Sequence, residues 1–185
     1  DNGNDSITVS GSVVSSTING NAGQDVITIG AITAFTDSTV YGGAGQDTIN
    51  ASTSTVAVVL SGDDDTDILV GSNFADTIFG GDGDDTITGG ALADTMTGGA
   101  GVNTYVYGTN TATTGAATGA VATGVVDVIT DFENTGSATT WDLIDLQVAG
   151  DATTFDAATA GTATYAAALT AANNALNGAH LFTLQ

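Results

Sequence analysis

The sequence predicts an all-β fold, a right-handed parallel β-roll or β-helix solenoid with a β-rich C-terminal cap and one short terminal helix. Two observations predict this fold. Five nine-residue units run without a break from Gly62 to Val106. Four of them place an Asp, and the fifth an Asn, two residues before a large apolar residue. Such a short fixed period is typical of solenoids, in which neighbouring repeats stack on one another.

Each unit begins with glycine and matches, in whole or in part, the pattern G-G-x-G-x-D-x-U-x, in which U is a large apolar residue. The unit GGDGDDTIT at 80–88 matches every fixed position, and so does GGAGQDTIN at 42–50. We number the positions of each unit from one to nine. The first six positions are predicted to form a tight turn, and the last three a short strand.

The repeat continues upstream of residue 62 in a longer form. Asp-x-apolar phrases begin at Asp5, Asp25 and Asp47, so that successive aspartates are 20, 22 and 20 residues apart up to Asp67, and then 9 residues apart to Asp94. Two units make one coil of 18 residues. Each upstream spacing therefore predicts one coil with one glycine loop and one divergent half. Those halves contain the strand-like runs 13–14, 38–41 and 56–60.

The spacing also assigns residues to the two edges of the roll. One edge should stack Asp5, Asp25, Asp47, Asp67, Asp85 and Asn103, and the other Asp76 and Asp94. Strand alternation turns the apolar position inward. That position holds Ile7, Ile27, Ile49, Leu69, Ile78, Ile87, Met96 and Tyr105. We expect a thin core with one large side chain per half-coil, so that stability requires stacking.

The composition excludes several classes of function. The 185 residues contain no Lys, Arg, Cys or Pro, and the formal net charge is −21. Nucleic-acid binding requires cationic side chains, and an anionic membrane surface would repel this chain. There is no apolar run of about 20 residues that could insert in a membrane. A flexible acidic linker is the alternative reading, and the regular Asp-x-apolar period argues against it.

The stacked aspartates predict calcium sites. Carboxylates about 4.8 Å apart repel each other, and a hard divalent cation between them reverses that interaction. Glycines at positions one, two and four permit positive φ angles that can aim carbonyl oxygens at the same point. We expect sites on both edges in residues 62–106 and on one edge in residues 1–61. The loop with Asp at 63–65 lacks two glycines, which makes a regular site there less favoured. The predicted ligating residues are Asp5, Gly20, Asn21, Gly23, Asp25, Gly42, Gly43, Gly45, Asp47, Asp65, Asp67, Asp76, Gly80, Gly81, Asp82, Gly83, Asp85, Gly89, Asp94, Gly98, Gly99, Gly101 and Asn103.

The sequence gives little support for an EF-hand, a P-loop or a zinc site. An EF-hand needs a Glu at the twelfth loop position, and Glu133 lies far from every glycine loop. A P-loop needs Lys, and a zinc site needs several His or Cys ligands. His180 is predicted to be a packing or surface residue. Asp37, Asp151 and Asp156 are predicted to be solvated surface charges.

These motifs resemble the RTX proteins, the calcium-binding repeat proteins of bacterial type I secretion. The resemblance covers about residues 1–150. It implies a parallel β-roll, several Ca²⁺ ions held between same-edge loops by paired Asp carboxylates and loop carbonyls, and export through an uncleaved C-terminal signal. The segment NTYVY at 103–107 resembles the exit strand of the family, and DVITDFE at 127–133 with DLIDLQ at 142–147 resembles its closing cap.

The C-terminal third departs from that pattern. The connection 134–141 is longer than the usual turn, and a Thr/Ala/Gly segment at 108–124 is additional. Whether Asp127, Asp131, Asp142 and Asp145 bind calcium, or the cap only seals the roll, stays open. Residues 164–177 predict a helix and 181–185 a strand. The expected division is a roll at 1–106, a capping segment at 107–150 and a helix–strand tail at 151–185.

The predicted function is that of an extracellular, calcium-dependent structural segment of a surface-layer or filament-type protein. It would fold after type I secretion and associate with itself or with another surface protein. The alternatives are the non-catalytic RTX module of a secreted metalloprotease, lipase or epimerase, and an adhesin. Catalysis within this chain is not expected, because the carboxylates are committed to metal and few other general bases exist. The chain opens within a repeat, so we expect it to be part of a longer protein.

Overall fold

A computed structural model describes residues 2–107, 127–132 and 142–146. The strands are β1 (Ser6–Val14), β2 (Thr17–Ala22), β3 (Val26–Thr36), β4 (Thr39–Ala44), β5 (Thr48–Asn50), β6 (Val59–Asp64), β7 (Ile68–Val70), β8 (Thr77–Asp82), β9 (Thr86–Thr88), β10 (Thr95–Ala100), β11 (Thr104–Tyr107), β12 (Val128–Ile129) and β13 (Leu143–Leu146). No described segment forms a helix long and apolar enough to cross a membrane. The predicted helix at 164–177, the strand at 181–185 and the segment at 108–124 lie outside the described residues.

The strands form two sheets in which every pair is parallel. The odd-numbered strands make a seven-stranded sheet in the order β1-β3-β5-β7-β9-β11-β13, here called the odd sheet. The even-numbered strands make a six-stranded sheet, the even sheet, in which β2 and β12 are the outer strands. Because consecutive strands alternate between the sheets, each odd–even pair completes one coil. The predicted parallel β-roll is confirmed.

The register aligns the apolar position of each coil with that of the next. Pairing between neighbours forms one inward column per sheet, because alternate side chains of a strand point to the same face. The odd-sheet column consists of Ile7, Ile27, Ile49, Leu69, Ile87, Tyr105 and Ile144. The even-sheet column consists of Ile18, Val40, Leu60, Ile78, Met96 and Ile129.

The core is thicker in the first coils than the sequence predicted. Between residues 62 and 106 each half-coil buries one large side chain, as expected. Upstream, Val13, Ile29, Ile32 and Val58 are buried as well. The additional residues of the 20- and 22-residue coils lengthen β1 and β3 and the turn before β6, so the roll widens there. The expectation of a uniformly thin core was therefore wrong for the upstream half.

The C-terminal segments continue the roll rather than forming a separate layer. Strand β12 pairs with β10 in the even sheet, and β13 pairs with β11 in the odd sheet. Residues 127–132 and 142–146 thus supply the two strands of one more coil. This coil covers the end of the inward columns, which a solenoid must protect from solvent.

Replacing Leu69 by Ala should destabilise the calcium-loaded roll by about 2–5 kcal/mol, because Leu69 is completely buried in the odd-sheet column. The matched control is the neighbouring Ile68, whose side chain is 48% exposed on the outer face. Ile68→Ala should cost about 1 kcal/mol or less. Denaturant unfolding at saturating calcium measures both, and equal losses would contradict the assignment of inward and outward positions.

Candidate calcium sites

The predicted column of carboxylates is present along the edge where even strands lead into odd strands, here called the first edge. From the second member onward, each side-chain Oδ1 in the column accepts a hydrogen bond from the backbone N–H of the preceding member, at 2.7–3.0 Å. The members are Asp5, Asp25, Asp47, Asp67, Asp85 and Asn103. Asp142 of the cap extends the column, because its Oδ1 accepts from the Asn103 N–H at 2.9 Å.

The opposite edge, the second edge, carries a shorter column. Asp76 Oδ1 accepts from Val58 N–H, Asp94 Oδ1 from Asp76 N–H, and Asp127 Oδ1 from Asp94 N–H, at 2.8–2.9 Å. Upstream coils place Ser16, Ser38 and Val58 at this register. The second edge therefore lacks this carboxylate in the first coils; calcium binding along one edge only in residues 1–61 stays a prediction.

Five of the column aspartates have one carboxylate oxygen without a hydrogen-bond donor among the described residues. The Oδ2 atoms of Asp25, Asp47, Asp67, Asp85 and Asp94 are buried and accept no hydrogen bond from the described residues. All five residues are 2% exposed or less. A buried carboxylate oxygen without a donor or cation is costly. These five atoms are therefore the strongest structural indication of a missing positive charge.

Because the first-position glycines lack a Cβ atom, each unpaired oxygen can lie close to the backbone, and this region of close approach is here called the glycine gap. A Cβ atom placed on Gly42 would lie 2.5 Å from Oδ2 of Asp47 and 2.7 Å from the carbonyl oxygen of Gly62. The same two kinds of oxygen border Gly20, Gly62 and Gly80. A carboxylate from one coil and a carbonyl from the next thus converge on one space. Oxygen donors of this kind fit Ca²⁺ better than zinc or iron.

The loop at 62–67 keeps the regular backbone although it lacks two glycines. Asp63 and Asp65 adopt positive φ angles of 78° and 74°, and the next loop has Gly81 and Gly83 at these positions with φ of 123° and 140°. Asp tolerates the left-handed region better than most residues. The backbone of this loop is therefore regular, and whether a calcium ion binds there stays a prediction. Asn21 takes the same conformation at the second position of its own loop.

Two predicted ligands, Asp65 and Asp82, lie outside the buried columns. Their side chains are exposed, as are those of Asp64 and Asp84, and Asp64 pairs in register with Asp82. No group of three or more His, Cys, Asp and Glu side chains converges on one point within the described residues. An ion in a glycine gap would therefore draw most of its ligands from backbone carbonyls.

Asp76 differs from the other column members because protein donors occupy both of its oxygens. Its Oδ2 accepts from the Ser72 N–H at 2.5 Å, and its Oδ1 accepts from the Ser72 hydroxyl at 2.9 Å. Neither Ser72 nor Phe74, at positions two and four of this loop, has a positive φ. The loop at 62–67 also lacks glycine at both positions, so the difference at Asp76 comes from the Ser72 side chain and N–H at the second position.

Burial makes the column carboxyl groups hard to ionise without a cation. Desolvation raises the pKa of Asp67 to about 7, of Asp85 to about 6 and of Asp94 to about 8, from an ordinary value of 3.8. Neighbouring carboxylates add to the increase. Burial also raises the pKa of Asp47, Asp76 and Asp127. A raised pKa is expected for a buried carboxyl group that has no cation beside it.

Comparison with protein families gives one match, to the RTX calcium-binding nonapeptide repeat, in four copies at residues 36–53, 61–96, 71–105 and 88–111. The chain carries RTX calcium-binding repeats. These repeats bind Ca²⁺ and form the calcium-binding module of type I secreted proteins, and several copies imply several ions. Neither the comparison with curated proteins nor that with solved structures gave a match.

The RTX roll brings together most residues that the sequence nominated. The glycines of the first position and the aspartates of the sixth position meet at the glycine gaps, and the carbonyls of the second and fourth positions face the next loop. Metal ligation by individual residues stays a prediction. Gly62 and Gly71 also border Oδ2 atoms, but the sequence did not predict them as ligating residues. The side chain of Asp145, and all of Glu133, Asp151, Asp156 and His180, lie outside the described residues.

Replacing Asp67 by Asn should reduce the number of bound calcium ions, because an amide nitrogen would replace the unpaired Oδ2. Asp76→Asn should have a smaller effect on calcium binding, since Ser72 already satisfies that carboxylate. Isothermal titration calorimetry measures both. Asp37→Asn is the matched control, because Asp37 is exposed and its φ of 50° suits Asn. An equal loss of ions in the Asp67 and Asp76 variants would contradict this ranking.

The metal-free and calcium-loaded RTX roll should respond to pH in opposite directions. The raised pKa values mean that the carboxyl groups favour the metal-free roll below about pH 4 and oppose it as the pH rises through about 6 to 8. Bound calcium lowers the same pKa values, so acid should destabilise the loaded form. Thermal unfolding from pH 4 to 8 in calcium-depleted buffer and in saturating calcium measures this. Metal-free stability that increases with pH would contradict it.

Proposed function

We propose that this chain is a calcium-dependent, extracellular structural segment of a surface-layer or filament-type protein. It folds when it binds Ca²⁺ after type I secretion, and the folded roll associates with other copies of itself. The chain takes no part in catalysis, and its carboxylates serve as calcium ligands. The observation that carries the proposal is the set of five buried Oδ2 atoms without partners, at Asp25, Asp47, Asp67, Asp85 and Asp94.

The unpaired oxygens link folding to the calcium concentration outside the cell. In the cytosol, where free Ca²⁺ is low, five buried carboxylates without a counter-charge oppose folding, and the chain stays extended for export. Outside, each occupied site adds about 1.4 kcal/mol when free Ca²⁺ is about ten times the dissociation constant. Several sites together approach the net stability of about 5–15 kcal/mol that is typical of a domain.

The distribution of charge favours lateral association. From β1 to β11, the two residues that flank each inward-facing residue are uncharged, and most are Thr, Ser, Asn or aliphatic. Val26, Ile68 and Phe79 on these faces are 42–48% exposed. The acidic loop residues lie at the edges, where calcium neutralises part of their charge. Two rolls can therefore approach face to face while their acidic edges remain apart.

A non-catalytic RTX module of a secreted enzyme is the second candidate, and an adhesin is the third. An enzyme module or an adhesin could also fold on binding calcium, so the calcium sites at the edges do not distinguish the three candidates. The uncharged faces favour the structural role, because a module that only accompanies a catalytic domain has no need to associate with itself.

Calcium dependence of folding is tested by far-UV circular dichroism. In EGTA the β signal should be lost, and it should return cooperatively when Ca²⁺ reaches the range of about 10⁻⁴–10⁻³ M. Magnesium at the same concentration is the control, since Mg²⁺ keeps its waters and should not replace calcium. An unchanged β signal in EGTA would show that the unpaired carboxylates do not limit folding.

Self-association is tested by sedimentation velocity in millimolar calcium, where the structural role predicts species larger than the monomer. Ile68→Asp on the odd sheet and Phe79→Asp on the even sheet should reveal which face is used, because a buried charge at the interface weakens association. Ser52→Asp adds the same charge at an exposed turn of the second edge and is the control. A wild-type chain that folds in calcium yet stays monomeric would favour the enzyme-module alternative.

A further inference from the structure

The last glycine loop of the first edge, residues 98–103, is built differently from the loops before it. Asn103 stands at the sixth position, and its Oδ1 accepts from the Asp85 N–H at 3.0 Å. This bond fixes the orientation of the amide. Its Nδ2 therefore takes the place that the unpaired Oδ2 occupies in earlier loops, and it donates to the carbonyl oxygen of Gly99 at 3.4 Å.

The glycine gap at Gly98 lacks the carboxylate oxygen that borders the earlier ones. The nearest side-chain atoms to a Cβ placed there would be Nδ2 of Asn103 and, at 2.6 Å, the hydroxyl oxygen of Tyr105. At Gly42, Gly62 and Gly80 the corresponding neighbours are a carboxylate oxygen and a carbonyl oxygen. The Asn103 N–H repels a cation, and the Tyr105 hydroxyl, whose hydrogen goes to Asp131, offers only a neutral oxygen, so this gap suits calcium less well than the earlier ones.

Asp131 of the cap supplies a negative charge to this loop. Because Met96 pairs with Ile129, Asp131 lies in register with Gly98, where a further coil would have its first-position glycine. Its Oδ1 accepts from the Gly98 N–H at 2.9 Å, and its Oδ2 accepts from the Gly99 N–H at 2.7 Å. Two backbone amides of the loop are thus satisfied by a side chain of the cap.

Tyr105 connects this arrangement to the core. The preceding coils have Ile, Leu or Met at the inward-facing apolar position. Tyr105 is longer than these side chains, and its hydroxyl reaches the last glycine loop. The side chain is completely buried, and its hydroxyl lies 3.2 Å from Oδ1 of Asp131. Phe132 packs beside the ring, with the ring centroids 6.3 Å apart. Phe132 directly follows Asp131, so its packing against Tyr105 holds Asp131 in place.

We propose that the calcium ladder of the first edge ends at the gap between Asp85 and Gly98, and that Asn103, Tyr105 and Asp131 close the final loop with protein hydrogen bonds in place of an ion. Gly98 contributes its carbonyl oxygen to the last gap. Asn103 was predicted to be a calcium ligand, but its side-chain N–H group faces the glycine gap of its own loop. The roll thus carries an end-lock, defined as these three residues, that needs no calcium.

Asp131→Asn tests the lock without a change of size. The variant should lower the unfolding temperature at saturating calcium, because the loop amides lose a charged acceptor, while the number of bound ions in titration calorimetry stays at the wild-type value. Asp37→Asn, which also removes one exposed charge, should change neither quantity. Loss of a bound ion in Asp131→Asn would overturn the proposal, because Asp131 would then be a calcium ligand.

A gain of function provides the second test. The double variant Asn103→Asp with Asp131→Gly restores the residue types of a regular loop, and it should bind one more calcium ion than the wild type. An unchanged number of ions in the folded variant would overturn the claim that these residues end the ladder. If the double variant does not fold, Tyr105→Phe decides: a lower unfolding temperature with an unchanged number of ions supports the lock, and an unchanged temperature contradicts it.

Discussion

The structure depends on how each edge carboxylate divides its two oxygens. One oxygen accepts a backbone N–H from the preceding coil and so holds neighbouring coils in register. The other is buried at a glycine gap and lacks a donor at Asp25, Asp47, Asp67, Asp85 and Asp94. The hydrogen bond to the first oxygen can form only when the coils are stacked. The same stacking buries the second oxygen without a donor, which is energetically unfavourable. A cation in the gap would remove that cost, and for this reason we propose that folding and calcium binding are linked.

The sequence predicted the features that repeat. The spacing of Asp-x-apolar phrases was sufficient for the two sheets, the inward columns and the assignment of aspartates to edges, because a solenoid copies one local geometry at each period. It was not sufficient where a residue particular to one loop or to the cap supplies a hydrogen bond. Ser72 donates to Asp76 within one loop, Asp131 of the cap accepts from the Gly98 N–H, and a repeat pattern contains no information about either contact.

Two backbone features were not predicted. Asp63 and Asp65 stand where a regular loop has glycine, and the flanking strands pair in register and hold both residues at positive φ. The extra residues of the upstream coils carried no clear period, so their contribution to the core was not predicted. Val13 and Ile32 become buried because β1 and β3 extend side by side past the regular strand length. In both cases pairing with a neighbouring coil outweighs local preference.

The dependence of folding stability on calcium concentration tests the central claim most directly. Denaturant unfolding at neutral pH over a series of free Ca²⁺ concentrations gives the change in unfolding free energy per tenfold change in calcium, and each ion bound only by the folded roll contributes about 1.4 kcal/mol. Several unpaired carboxylate oxygens predict a slope several times this value. A slope near zero would show that the edge carboxylates are stabilised without calcium and would contradict the account.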